Sequence, residues 1–277
     1  MIAIVEQVGP PVSQPAVPMG RSKADLLSTI SASRLGTWLS CRLKFYFRYV
    51  LGLRKPNTPA RHLGKVVHAV LQQWNLARWR GASFTGEMID QVFRGNWVAA
   101  AEGDSAIWNG EEKTTKELGL RLVQMYLRET PIAVAERPMG VEVALEKDLT
   151  RLGLPKLIGV VDLVRPGGRI VDFKTTAKTP NEQLALHTND VQLSAYALLY
   201  REATRRRETA LELHHLVKLK TPKLVVTVAP PATETQTSRF FRLVESYVRG
   251  VEAEDYAPAP GIACASCEFI NECRNWK

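Results

Sequence analysis

The sequence has no run of about 18 apolar residues, the length at which a helix crosses a bilayer. Its apolar start, Met1-Ile2-Ala3-Ile4-Val5, is too short for a secretory hydrophobic region. A membrane role is therefore not expected, and the cytoplasm is the expected location. Only four cysteines occur, and in a reducing compartment they read as metal ligands or free thiols rather than disulfides. No GxxxxGK[ST] P-loop is present, which argues against a motor of its own, and no internal repeat is found. Acidic residues are the scarcer charge, 28 against 37 Lys and Arg, and the net charge of +9 favours a polyanionic partner such as nucleic acid. What is present is 277 residues with 45% hydrophobic content, enough for one large domain with a proper core.

The stretch Leu157 to Thr176, LIGVVDLVRPGGRIVDFKTT, organises the chain. Two apolar runs flank a Pro-Gly-Gly turn and read as a β-hairpin covered on both faces, so Asp162, Asp172 and Lys174 inside it need a reason. Side chains alternate along a strand, which puts Asp172 and Lys174 on one face and Phe173 on the other. With the hairpin centred on Gly167, a three-residue loop sets Asp162 opposite Asp172, and facing like charges repel. Two carboxylates and an ammonium converging among apolar residues point to a divalent cation. A two-residue Gly167-Gly168 turn is the competing local signal and would send the aspartates to opposite faces.

Residues 1–29, with Pro10, Pro11, Pro15 and Pro18, read as a mobile or loosely docked arm. A helix starts at the N-cap Ser31 and runs through Phe47 with Cys41 on it; its aromatic stripe is core by default, though aromatics can stack bases. A second helix over about Arg61 to Arg80 places Gly64 and His68 one turn apart. Residues 84–130 continue in helical periods, broken by the loop AEGDSAIWNG. Val141 to Glu146 alternates as a half-buried strand, on which Glu142 is a solvated glutamate by default and an additional acid as the minority reading. A helix over about Asp190 to Arg206 carries Gln192 and Tyr196 one turn apart. Leu213–Lys220 and Lys223–Val228 form a second hairpin, and residues 234–253 a closing helix. Cys264, Cys267 and Cys273 crowd the tail, and with Cys41 make four thiols. These can complete a zinc site or an iron-sulfur cluster, and spacing does not choose.

The set Asp162, Asp172, Lys174 and His68 matches what metal-assisted phosphodiester hydrolysis requires: carboxylates for Mg2+ or Mn2+, an imidazole better suited to Mn2+, and an ammonium for the nucleophile or the phosphate. The bland readings are an Asp172–Lys174 ion pair and a turn-proximal Asp162.

The ordered pieces Gly64-x3-His68, Gly159-x2-Asp162, Asp172-Phe173-Lys174-Thr175 and Gln192-x3-Tyr196 resemble the RecB-like branch of the PD-(D/E)XK nuclease superfamily. The cysteine placement further resembles its iron-sulfur members: the CRISPR-associated exonucleases of the Cas-four family, their phage-encoded relatives and AddB-type nuclease domains. The resemblance spans about Ser31 to Lys277. It implies that His68, Asp162, Asp172 and the Phe173 carbonyl bind Mg2+ or Mn2+ and that Lys174 is the catalytic lysine. Gln192 and Tyr196 would contact the DNA backbone or brace the site. Cys41, Cys264, Cys267 and Cys273 would hold a 4Fe-4S cluster, with structural Zn2+ as the alternative.

The expected fold is α/β, a central mixed β-sheet flanked by helices as in restriction endonucleases. The expected division is an inserted helical lobe over about 81–135, a nuclease core over about 136–230, and a C-terminal helix with its cysteine tail over 231–277. The expected activity is that of a DNA exonuclease acting on single-stranded ends or overhangs. The alternative is a non-cleaving DNA-binding or assembly subunit of a recombination or CRISPR-adaptation complex.

Overall fold

The computed structural model describes residues 20–103 and 106–277. Its centre is a six-stranded mixed sheet in the order β1-β3-β4-β5-β6, with β2 paired to β3. The strands are β1 (Thr29–Ile30), β2 (Gly140–Lys147), β3 (Lys156–Arg165), β4 (Arg169–Thr176), β5 (Ala210–Val217) and β6 (Lys223–Ala229). β3 and β4 form the expected hairpin, and Leu163↔Val171, Val164↔Ile170 and Arg165↔Arg169 are the register of a three-residue Pro166–Gly168 loop. Gly167 and Gly168 supply the positive φ values, 76° and 80°, that this turn needs. β5 joins β4 in parallel, which requires the crossover through the intervening helices α7 (Glu182–Thr188) and α8 (Asp190–Thr204).

β2 lies along one edge of β3 from Leu157 to Val164, while β1 and β4 hold the two ends of the other edge. Among the described residues, positions 158–162 of β3 therefore have no ladder partner on that second edge. The hairpin opens at this gap, one step after the Leu163↔Val171 pair, and Asp162 sits at its mouth.

Helices cover both faces. On one face α8 and α9 (Glu234–Glu252) pack with α1 (Lys23–Ser28) and α2 (Ala32–Ser40) over Leu157, Val161, Leu211 and Leu213. On the other, α4 (Pro59–Arg80), α5 (Gly86–Gly103) and α6 (Glu112–Glu129) share one apolar cluster with Leu163, Val171, Phe173 and Leu216. Within the stretch expected as a lobe over 81–135, the apolar stripes of α5 and α6 close on α4 and on this face of the sheet.

Two local expectations are corrected. Of the arm expected over 1–29, residues 1–19 lie outside the described residues, but α1 is a docked helix: Ser22 and Asp25 form a capping box and Leu26 is buried. The helix expected from Ser31 through Phe47 is broken at Cys41, whose extended backbone (φ −169°, ψ 117°) ends α2. Cys41 then caps α3 (Arg42–Phe45), its Sγ accepting from the Lys44 N–H, and the chain continues as a π-turn to Val50. Apolar spacing persists through such a break, so periodicity does not register it.

Candidate active site

The gap in the sheet gathers side chains from four elements. From β3, the Asp162 Oδ2 accepts a 2.8 Å hydrogen bond from the Phe173 N–H of β4, an amide freed because the ladder stops at Leu163↔Val171. From α4, His68 brings Nδ1 to 3.6 Å from the same oxygen. Gly64, one turn earlier, lets the helix approach β4, since a Cβ there would stand 3.3 Å from Thr175 Oγ1. Gly159 does the same for α8, where a Cβ would meet Leu199 at 2.8 Å.

Asp172 and Lys174 share a strand face, as alternation requires, and α8 organises both. Gln192 Nε2 donates to Asp172 Oδ1 at 2.8 Å, and its Oε1 accepts from Lys174 Nζ at 2.7 Å. Tyr196 accepts from Gln192 Nε2 at 2.8 Å and donates to Asp172 Oδ1 at 3.4 Å. Both α8 side chains are thus engaged inside the protein, and Tyr196 is buried. Lys174 Nζ also stands 2.7 Å from Asp172 Oδ2, an ion pair outside hydrogen-bond geometry, which leaves that buried oxygen without a hydrogen-bond donor.

Glu142 is the member whose default in the sequence is a solvated strand face, with an additional acid as the minority reading. It lies between the pairs Val141↔Leu163 and Val143↔Val161, hence opposite Asp162, and its φ of 48° is the left-handed region in mid-strand. Ligand atoms of His68, Glu142 and Asp162 lie within 4.8 Å of one another, and no other such His/Cys/Asp/Glu group occurs among the described residues. The signal that could have found it is its register opposite Asp162, visible only once β2 is paired with β3.

The electrostatics follow from crowding. Burial, then the charges of Asp162 and Asp172, push the Glu142 carboxyl up to about 8. Burial and Asp172 push Asp162 up to about 6, against the pull of His68 and the Phe173 N–H. Two carboxyls whose charged forms are disfavoured, Glu142 and Asp162, with the His68 imidazole within reach of both and Asp172 beside them, are a donor set that fits a hard divalent cation. When bound, such an ion lowers the pKa of a coordinated water and offsets charge developing on a phosphate. Behind Phe173, by contrast, Tyr126, His214, Glu212 and Arg165 form a buried network with its hydrogen bonds made, which backs the strand without facing the cleft.

The four cysteines converge about 220 residues apart in sequence. Cys41, Cys267 and Cys273 pack on a small cluster of Leu43, Phe47 and Phe269. Burial and the neighbouring thiols Cys41, Cys264 and Cys267 raise the Cys273 pKa.

No curated protein matches the chain. A solved structure from Eubacterium rectale, described as a "Putative exonuclease", aligns at TM-score 0.56 and 15% identity, over 92% of this chain and 91% of that one, which shows a shared fold. That of SSO0001 aligns at TM-score 0.45 and 13% identity, over 90% of this chain and 86% of that one, and adds no argument. No helix of the described residues is long and apolar enough to cross a membrane. The family model of the PD-(D/E)XK nuclease superfamily matches residues 29–274, nearly the whole of the described chain, and with a central mixed sheet whose opened hairpin carries the acids, the protein belongs to that superfamily of metal-dependent nucleases.

Proposed function

We propose that the protein is a DNA exonuclease that hydrolyses phosphodiester bonds at single-stranded ends or overhangs with Mg2+ or Mn2+. The observation that carries this reading is the convergence of His68, Asp162, Asp172 and Lys174 at one opening of the sheet. His68, Asp162 and Asp172, with the Phe173 carbonyl and Glu142, are the residues that would hold the cation. Lys174, steered by Gln192 Oε1 and Asp172, directs its ammonium to the attacking water or to a phosphate oxygen. Gln192 and Tyr196 serve as positioning residues for Asp172 and Lys174. A cytoplasmic location and DNA as substrate belong to the same reading, with the exonuclease name of the Eubacterium rectale protein in accord. End-labelled single-stranded DNA incubated with Mn2+ should be shortened from its ends, with EDTA or Asp172→Ala abolishing the reaction. Activity unchanged in Asp172→Ala would overturn the mechanism, and a wild type that binds but never cuts would return the assembly-subunit reading.

For the cysteines we infer a 4Fe-4S cluster on Cys41, Cys264, Cys267 and Cys273, tying the first helices to the tail. What supports a bound group is the meeting of the four thiols, with Cys41, Cys267 and Cys273 on one small apolar cluster and Cys264 close enough to act on Cys273. Anaerobically purified protein should be brown and contain iron and sulfide; colourless protein with stoichiometric zinc would sink this assignment.

A further inference from the structure

The cleft at the site, about 550 Å3, is lined on one side by Glu142 and Asp162 and on the other by a single face of α4: Ala60, Arg61, Gly64, Lys65, His68 and Gln72 among its residues. Arg61, Lys65, His68 and Gln72 follow at intervals of four, three and four residues, so they project from one stripe about 16 Å long at 1.5 Å per residue. Ala60 and Gly64 keep the floor beside them low. One cleft therefore has an acidic pole, where a cation fits, and a cationic pole one to two helical turns away.

The start of α4 is unusual in its charge. Helix N-termini carry partial positive charge and are favoured by acids in the first turn, yet α4 has none there and places Arg61 in that turn instead. Arg61 makes no side-chain ion pair among the described residues. Within the chain this arrangement opposes itself; for a polyanion entering the cleft, the helix end and the guanidinium add.

Resting on the nuclease reading, we propose that the α4 face is a phosphate rail. Arg61 and Lys65 hold the backbone phosphates that flank the scissile one, which lies at His68, Asp162 and Asp172. The substrate strand thus runs along α4, and its register against the acids is set by cations of this helix rather than by contacts to bases.

The test is binding of a fluorescent single-stranded oligonucleotide in Ca2+, followed by anisotropy over a series of salt concentrations. Arg61→Ala should weaken binding about tenfold, as expected for one charged hydrogen-bonded contact. It should also lower the slope of log K against log salt by about 0.7, as expected for one phosphate contact on a single strand. Arg61→Lys should recover the slope, and Arg128→Ala, at an exposed residue of α6 outside the cleft lining, should change neither quantity. Arg61→Glu should weaken binding further while the melting temperature holds or rises, since an acid suits that helix end; this separates loss of the rail from loss of the fold. Unchanged affinity and slope in Arg61→Ala and Arg61→Glu would overturn the rail. Failure of the nuclease reading has a different signature, binding with a normal slope but no Mn2+-dependent cleavage by the wild type.

Discussion

Glu142 combines a left-handed backbone with a carboxylate crowded by two others. The backbone alone costs about 1–2 kcal/mol for a residue with a Cβ. That exceeds the roughly 0.5–1 kcal/mol that glycine loses within a strand. Glu142→Gly should therefore raise the stability of metal-free protein, by about 0.5–1 kcal/mol from the backbone alone, read by urea unfolding in EDTA, while weakening Mn2+ binding and cleavage. A variant that lost stability and kept its Mn2+ affinity would show that Glu142 is merely packed. The same residue gives a pH dependence. With folded values of about 8 for Glu142 and about 6 for Asp162, both above ordinary carboxylates, the folded state keeps protons that the unfolded chain releases. Stability of the metal-free protein should therefore fall as pH rises from about 4.5 towards 8, by up to about 1.4 kcal/mol per pH unit for each retained proton. Added Mn2+ should raise the melting temperature more at pH 8 than at pH 5.5, and Glu142→Gln should narrow that difference; a Mn2+ shift independent of pH would contradict this account. Asp162, Asp172 and Lys174 were legible because charge inside an apolar hairpin is conspicuous. Glu142 was not, since alternation alone makes it an ordinary outward glutamate.

The β3–β4 hairpin is the element on which the site depends, and its loop sets the register. Gly168 has φ 80° and leaves no room for a side chain, because a Cβ would stand 2.6 Å from the Tyr200 hydroxyl. Gly168→Ala should destabilise the protein by about 1–3 kcal/mol, measured by thermal or urea unfolding. An alanine tolerated without loss would mean that the turn readily adopts another geometry. The odd-length loop followed from the sequence, but the opening of the ladder after Leu163↔Val171 did not. That opening depends on α8, whose Gln192 and Tyr196 hold Asp172, and on the Asp162 carboxylate taking the Phe173 N–H in place of a backbone carbonyl. Such competition between a side chain and a ladder bond lies outside any periodicity.

At the scale of the molecule, residues near the two ends of the described chain meet at the cysteines. A group bound there closes a loop of most of the chain, and closing long loops gains the most in principle. Cys267→Ser should lower the melting temperature, release iron where a cluster is bound, and make the tail after Tyr256 the first site of proteolysis. A variant with unchanged melting temperature and tail protection would leave the cysteines without a structural role.

By itself the sequence determined the mixed α/β pattern, the hairpin register and the order of histidine, acids, lysine and glutamine, because these rest on local periodicity, turn chemistry and unlike residues in apolar surroundings. Only the tertiary structure decided that the helices after α4 pack on α4 and the sheet, that Cys41 breaks its helix, and that Glu142 and the α4 stripe face the same cleft. Those facts depend on which elements pack together across the chain, and an aligned row of side chains acquires its chemistry from the charges it is made to face.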